Sequence, residues 1–144
     1  MALQTLYQSE LSGYSAPDAF DIFCRNFETN KKAVTYAREL VYGVTEKFST
    51  INAMIENFSS NWRMSRMSVI DRNILRLATY EMCIAAQPVP ASVVINEALE
   101  VARRYSSDDS IPFINGILDA MRKNMEPKDD GSEKSLYVVK NPEV

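Results

Sequence analysis

VIDRNILRLATYEMCIAA, residues 69–86, is the stretch that decides the fold. Ile70, Ile74, Leu77, Ala78, Glu81, Met82 and Ala85 recur at helical intervals, and Leu75 and Ile84 add a second flank. Apolar residues over so much of the circumference place this helix at the centre of a packed bundle rather than on its surface. Ser68-x-x-Asp71 opens it as an acidic variant of the capping box. Just upstream, residues 59–68 form a joint containing Asn61-Trp62-Arg63. Just downstream, Pro88-Val89-Pro90 forces an extended connection, because each proline biases its predecessor away from helix.

Working outward, the same periodicity predicts helices on both sides. Residues 1–11 place Leu3, Leu6, Tyr7 and Leu11 on one stripe, with Gly13 as the stop. Pro17 opens a second helix, capped near Ser15 or Ala16, with Phe20, Phe23, Cys24 and Phe27 on its apolar face. Asn30 caps a third, 31–47, whose Val34, Ala37, Val41, Val44 and Phe48 point inward. Gly43 inside that helix costs up to about 1 kcal/mol relative to alanine, so it marks a close helix crossing. Ser49 or Thr50 is expected to cap 51–58, with Ile51, Met54, Ile55 and Phe58 on one side. Residues 92–105 carry Val94, Ala98, Val101, Ala102 and Tyr105 as a stripe. Asp109 or Ser110 caps the last helix, which tolerates Pro112 in its first turn and buries Ile114, Ile117, Leu118 and Met121. From Pro127 onward the chain is polar and reads as a flexible tail, with residues 136–139 a weak local docking segment. The fold class expected is all-α: two small apposed helical bundles with about seven helices. The bundles divide as 1–60 and 61–125, followed by a tail, 126–144.

Composition narrows the function classes. A chain of 144 residues suits one domain, or two small subdomains sharing a core. It contains no histidine, which removes imidazole metal ligands, His-dependent triads and the commonest general base. Glu97 and Glu100 share a helix face but lack the further ligands a metal site needs, so they read as solvated partners of lysine and arginine. With 4 glycines and no phosphate-cradling loop, nucleotide cofactors are not expected either. The 2 cysteines, Cys24 and Cys83, lie in apolar helical contexts and read as buried free thiols. No apolar run is long enough to span a bilayer and no signal peptide opens the chain, so a cytoplasmic address with no membrane contact is expected.

The net charge of -3 does not advertise nucleic-acid binding, but clustering matters more than the sum. Arg63, Arg66, Arg72 and Arg76 fall close together, interrupted by one acid, Asp71. They are either a solvated face with local salt bridges or a surface for phosphate or an acidic partner. Phe113 lies off the centre of the last stripe, beside a helix N-terminus; it is either an edge-packing residue or a stacking residue for single-stranded RNA. Trp62 in the joint reads as a plug between the two bundles. Asp71 and Asp109 each admit a helix-capping role; Asp109 also admits acceptance of hydrogen bonds from base edges.

ALQTLYQ (2–8), NWRMSRMSVIDRNILRLATYEM (61–82) and VPASVVINEALEVARRYSSDDSIPFINGILD (89–119) resemble the bacterial transcription antitermination factor NusB family. The likeness runs from about residue 2 to residue 123. It implies an all-α fold, no enzyme activity and no cofactor. It implies a partner, NusE, the small-subunit ribosomal protein that doubles as an elongation factor. The pair binds boxA RNA and joins the RNA polymerase antitermination complex, chiefly on ribosomal RNA operons. By motif matching, Tyr7 and Asp71 fall at the partner-facing surface, with Arg72 and Arg76 beside them. Gln4, Asp109, Ser110 and Phe113 fall at the RNA surface. Asn96 and Asn115 match signature positions and are expected, with Trp62, to be structural, fixing helix ends or cross-helix contacts. The family pattern also implies an arginine-rich segment ahead of ALQ-x-LY, whereas this sequence begins at Met1-Ala2. Two expectations stand: either the start has been trimmed or miscalled, or RNA is recognised as half of a heterodimer, with a protein-interaction subunit of little autonomous RNA affinity as the alternative. A domain of an RNA methyltransferase is a third alternative, disfavoured because nothing after Asp119 resembles a cofactor-binding βαβ unit. A homodimer through an apolar-aromatic surface is also compatible with the sequence.

Overall fold

The computed structural model describes residues 2–26, 30–60 and 62–125, so Phe27, Asn61 and the 126–144 tail lie outside the described residues. Seven α-helices follow in order: α1 Ala2–Ser12, α2 Ala16–Asn26, α3 Lys31–Glu46, α4 Phe48–Phe58, α5 Val69–Thr79, α6 Ala91–Tyr105 and α7 Ser110–Met125. A short 3-10 turn, Met64–Arg66, precedes α5, and a π-helical turn, Tyr80–Ile84, extends it. No strand occurs among the described residues.

The central helix is α5, which packs against α1, α3, α4, α6 and α7. Leu75, assigned to its flank, is fully buried, as are Met54, Ile55, Ile114, Leu118 and Met121 from the helices around it. Buried residues of α1–α4 and of α5–α7 form one continuous core. Local signals set the helix starts. Ser15 Oγ accepts the Asp18 N–H at 3.2 Å, and Asn30 Oδ1 accepts the N–H groups of Lys32 and Ala33 at 2.8 and 3.3 Å. Gly43 meets the crossing its position implies. A methyl group there would run into the Tyr80 ring, whose hydroxyl oxygen would lie only 2.5 Å away.

Three local expectations are corrected. α4 begins at Phe48 with no side-chain cap, because α3 runs to Glu46 and Lys47 alone joins the two helices. Phe48 is accordingly turned outward, where it lies under the Arg76 guanidinium at 4.5 Å from the ring centroid. On α1 the buried face is Ala2, Thr5 and Leu6, while Tyr7 and Leu11 are exposed. The next turn on that side carries Glu10 to the arginines of α5.

Candidate nucleic-acid interface

A cleft of about 400 Å³ opens where the α4–α5 joint faces the start of α7. Trp62, Arg66 and Ser68 line one side, Asp109, Ser110 and Phe113 the other, with the Asp71 carboxylate between them. The joint is tied to the end of α4: Ser59 Oγ donates to the Trp62 carbonyl at 2.5 Å, and the Met64 N–H donates to Glu56 Oε2 at 2.8 Å. Ser68 then caps α5 by accepting the Asp71 N–H at 3.1 Å. The reciprocal half of the capping box is absent, because the Asp71 side chain turns to the other end of the chain. Ser110 Oγ donates to Asp71 Oδ2 at 2.6 Å, and the Ser106 hydroxyl donates to Oδ1. One carboxylate therefore stitches the start of α5 to the end of α6 and the start of α7.

Asp109 and Phe113 remain available at this cleft, the first exposed and the second half-buried, whereas Ser110 is buried with its hydroxyl on Asp71. Trp62 departs from expectation. Instead of plugging the interior it is 50% exposed, with its ring 6.1 Å from that of Phe113 at an interplanar angle of 71°. The short 3-10 turn fills the joint with Met64 and Met67, both buried, so the indole is left at the rim.

The arginine cluster divides in two. Arg72 donates to Glu10 through Nε at 3.0 Å and to the Met67 carbonyl at 3.0 Å. Arg76 donates to Glu10 Oε2 at 2.9 Å, to Asn73 Oδ1 at 2.8 Å and to Asn52 Oδ1 at 3.0 Å. Asn73 Nδ2 completes the knot on Glu10 Oε2 at 2.7 Å. Burial alone would push the Glu10 carboxyl up. The Arg72 and Asn73 hydrogen bonds and the two guanidinium charges outweigh it and hold the group below the usual carboxylate range. The guanidinium of Arg76 is lowered by its own burial, against the opposing pull of Glu10. Arg76 and Asp71, expected on the partner-facing surface, are thus turned inward, at 5% and 8% exposure. Arg63 and Arg66 are exposed and make no ion pair among the described residues.

A second, largely apolar groove of about 320 Å³ runs along α1, lined by Leu3, Gln4, Tyr7, Gln8, Ile70 and Tyr105. It brings together Gln4 and Tyr7, assigned above to RNA and to partner respectively. Asn96 and Asn115 are exposed, and neither side chain makes a hydrogen bond among the described residues, so the cross-helix role expected of them is not seen. Glu100 pairs with Arg103 at 2.7 Å, as a solvated helix face predicts. Both cysteines are free, and burial pushes the Cys83 thiol up to about 12, well away from reactive thiolate chemistry. Among the described residues no group of acidic, cysteine or histidine side chains is placed to hold a metal ion. No helix among them is long and apolar enough to cross a membrane.

Glu10 is the neighbour of these arginines that sequence periodicity misses. Its arginine partners lie more than sixty residues away, and no local spacing encodes that pairing.

Surface clefts lined by aromatic, cationic and hydroxyl side chains on an α-helical bundle are the features of a binding protein. Sequence and fold comparisons narrow that class. The chain belongs to the NusB family, whose family model matches residues 1–123. It is 45% identical over 127 residues to the transcription antitermination protein NusB of Desulfotalea psychrophila, covering 84% of this chain and 89% of that protein. Its fold is similar to T. maritima NusB, with a TM-score of 0.76, 37% identity and 85% of each chain covered. It is also similar to Aquifex aeolicus NusB in solution, with a TM-score of 0.73 and 26% identity over 94% of this chain and 91% of that one. The general role is transcription antitermination, and the family is one of RNA-binding regulators rather than enzymes.

Proposed function

We propose that this chain pairs with NusE, the small-subunit ribosomal protein, and that the pair binds boxA RNA in the cytoplasm to support processive transcription of ribosomal RNA operons. The observation that carries the RNA half is the convergence of Asp109, Ser110 and Phe113 with Trp62 and Arg66 around one cleft. Gln4 and Tyr7 share the α1 groove, which suits a protein contact continuing toward RNA. Arg72 and Arg76 serve the partner surface indirectly, by holding α1 in place through Glu10.

A fluorescence-anisotropy titration of a boxA oligoribonucleotide at two salt concentrations, with and without NusE, tests this. NusE is expected to tighten binding severalfold, with boxA preferred over a scrambled sequence. Phe113→Ala is expected to weaken RNA binding about tenfold, in line with the usual value of a base–aromatic stack, while leaving the circular dichroism spectrum unchanged. Equal affinity for scrambled RNA in the presence of NusE rejects the recognition claim. Tyr7→Asp places a charge in the apolar groove, so it is expected to reduce NusE binding before RNA binding. Normal heterodimer formation by that variant removes Tyr7 from the interface.

A second reading, a protein-interaction subunit with little autonomous RNA affinity, draws support from the inward use of Arg72 and Arg76. That arrangement leaves fewer free cations for phosphate than the sequence cluster suggests. It predicts no measurable boxA preference for the chain alone at either salt concentration.

A further inference from the structure

We infer that Trp62 is a base-stacking residue. The cleft at the joint takes one unpaired RNA nucleotide, with its base on the open indole face, its phosphate at Arg66 and its exocyclic amine at Asp109. This rests on the RNA-binding reading above and assigns a further residue and a base preference to that site.

The indole is held yet uncovered. Its backbone is fixed by Ser59 on both sides, the carbonyl accepting from Ser59 Oγ at 2.5 Å and the N–H donating to the Ser59 carbonyl at 3.2 Å. Its ring meets Phe113 at 71°. Whichever ring supplies the edge in that contact, Phe113 covers at most one face of the indole, and half of Trp62 is open to solvent. A large aromatic surface prepositioned in this way loses little conformational freedom when a base stacks on it, and stacking tolerates any base.

The polar groups around the indole select the ligand. Arg66 ends the 3-10 turn, is exposed, and makes no ion pair among the described residues, unlike Arg72 and Arg76. A free guanidinium suits a phosphate. Asp109 lines the same cleft and repels a phosphate, so the phosphate belongs on the Arg66 side and the base edge on the Asp109 side. A carboxylate accepts well from an exocyclic amine, as in its pairing with cytosine N4. Uracil has no such amine, so cytosine, adenine or guanine is preferred at this position. A duplex has no splayed base to offer, so the ligand is single-stranded.

Trp62 is the sole tryptophan, which makes its emission a direct reporter. The full chain is titrated with an unlabelled boxA oligoribonucleotide while indole emission is followed. Binding is measured in parallel by anisotropy on a labelled copy, alone and with NusE. Emission is expected to be quenched with the same midpoint as the anisotropy change. Trp62→Ala is expected to lose about tenfold in affinity and Trp62→Phe clearly less. Arg66→Ala should weaken all sequences alike and flatten the slope of log K against log salt by about 0.7. Replacing each base in turn by uracil should weaken binding at one position in the wild type and not in Asp109→Ala. Binding with unchanged emission, or full affinity in Trp62→Ala, overturns the inference while the RNA reading stands. Absence of binding to any RNA, with and without NusE, overturns both.

Discussion

Glu10→Ala is expected to lower the unfolding free energy by about 2–3 kcal/mol, read as a lower urea midpoint at pH 7. One carboxylate accepts from Arg72, Asn73 and Arg76, and the Arg76 side chain keeps only 6% of its surface exposed. Without Glu10 that guanidinium stays charged in a poorly solvated site, with the Asn52 and Asn73 amide oxygens and the Phe48 ring as its remaining partners. Removing one member of a fully buried pair costs about 3–5 kcal/mol. The Glu10 side chain retains 26% exposure, so water offsets part of the loss and the lower figure applies. The effect depends on pH with a definite sign. Because the folded protein holds this carboxyl below its ordinary 4.5, the contribution is complete above that value and is lost as pH falls through the folded one. The gap between wild type and variant should therefore be constant from pH 6 to 8 and close in acid below 4.5. A gap under about 0.5 kcal/mol at neutral pH, the usual spread for surface substitutions, contradicts this account. Glu10→Gln keeps an acceptor and loses the charge, so it should fall between the two.

The same ion-pair knot shows where sequence legibility ends. Helix identity was readable because each signal is local: Asn30 and Ser68 accept the N–H groups that caps accept, and the stripes of α4 and α7 bury the residues their spacing selects, except Phe58, which is half-buried. Gly43 was readable as a crossing because a glycine inside a helix needs a packing reason, here the Tyr80 ring. Which side of a helix faces inward was less secure wherever neighbours outvote periodicity. α1 carries apolar residues around much of its girth, and contact with α2, α3 and α5 selected the Ala2–Thr5–Leu6 side over Tyr7 and Leu11. Phe48 lost its inward place because only Lys47 separates α3 from α4, so Phe48 opens α4 with its ring turned out to Arg76. For the candidate site, Asp109 and Phe113 were legible through motif resemblance. The rim position of Trp62 was not, because it depends on how a 3-10 turn of three residues packs two methionines. Nothing in the spacing of four arginines tells which two will meet a glutamate from the first helix.

Asp71→Ala is expected to cost about 2 kcal/mol and to loosen the segment from Ser106 to Phe113. Asp71 is 8% exposed and accepts the hydroxyls of Ser110, at 2.6 Å, and Ser106. Hydrogen bonds to a charged group contribute about 1.5–3 kcal/mol each, but the loss is not twice that, because the stranded hydroxyls have each other. Ser106 Oγ lies 2.8 Å from Ser110 Oγ, and Ser107 Oγ is 3.3 Å from it, so a rearranged serine chain recovers part of the energy. Loss of an acid from the first turn of α5 adds about 0.3–1 kcal/mol through the helix dipole. The Ser68 cap should survive, since it receives a backbone N–H that alanine also provides. Ser68→Ala should then cost its own increment of about 1 kcal/mol. What distinguishes Asp71 from an ordinary cap is its reach: it fixes the turn that carries Asp109 and opens the helix that carries Phe113. Hydrogen exchange in residues 106–113 should rise in Asp71→Ala, and RNA affinity should fall through that loosening. Asp71→Asn preserves an acceptor and the side-chain shape, so it should restore most of the protection. Unchanged exchange and stability, combined with weaker NusE binding, would instead make Asp71 a direct partner contact. Its burial under two serine hydroxyls argues for the first outcome, in which Asp71 acts on recognition only by setting the position of α7.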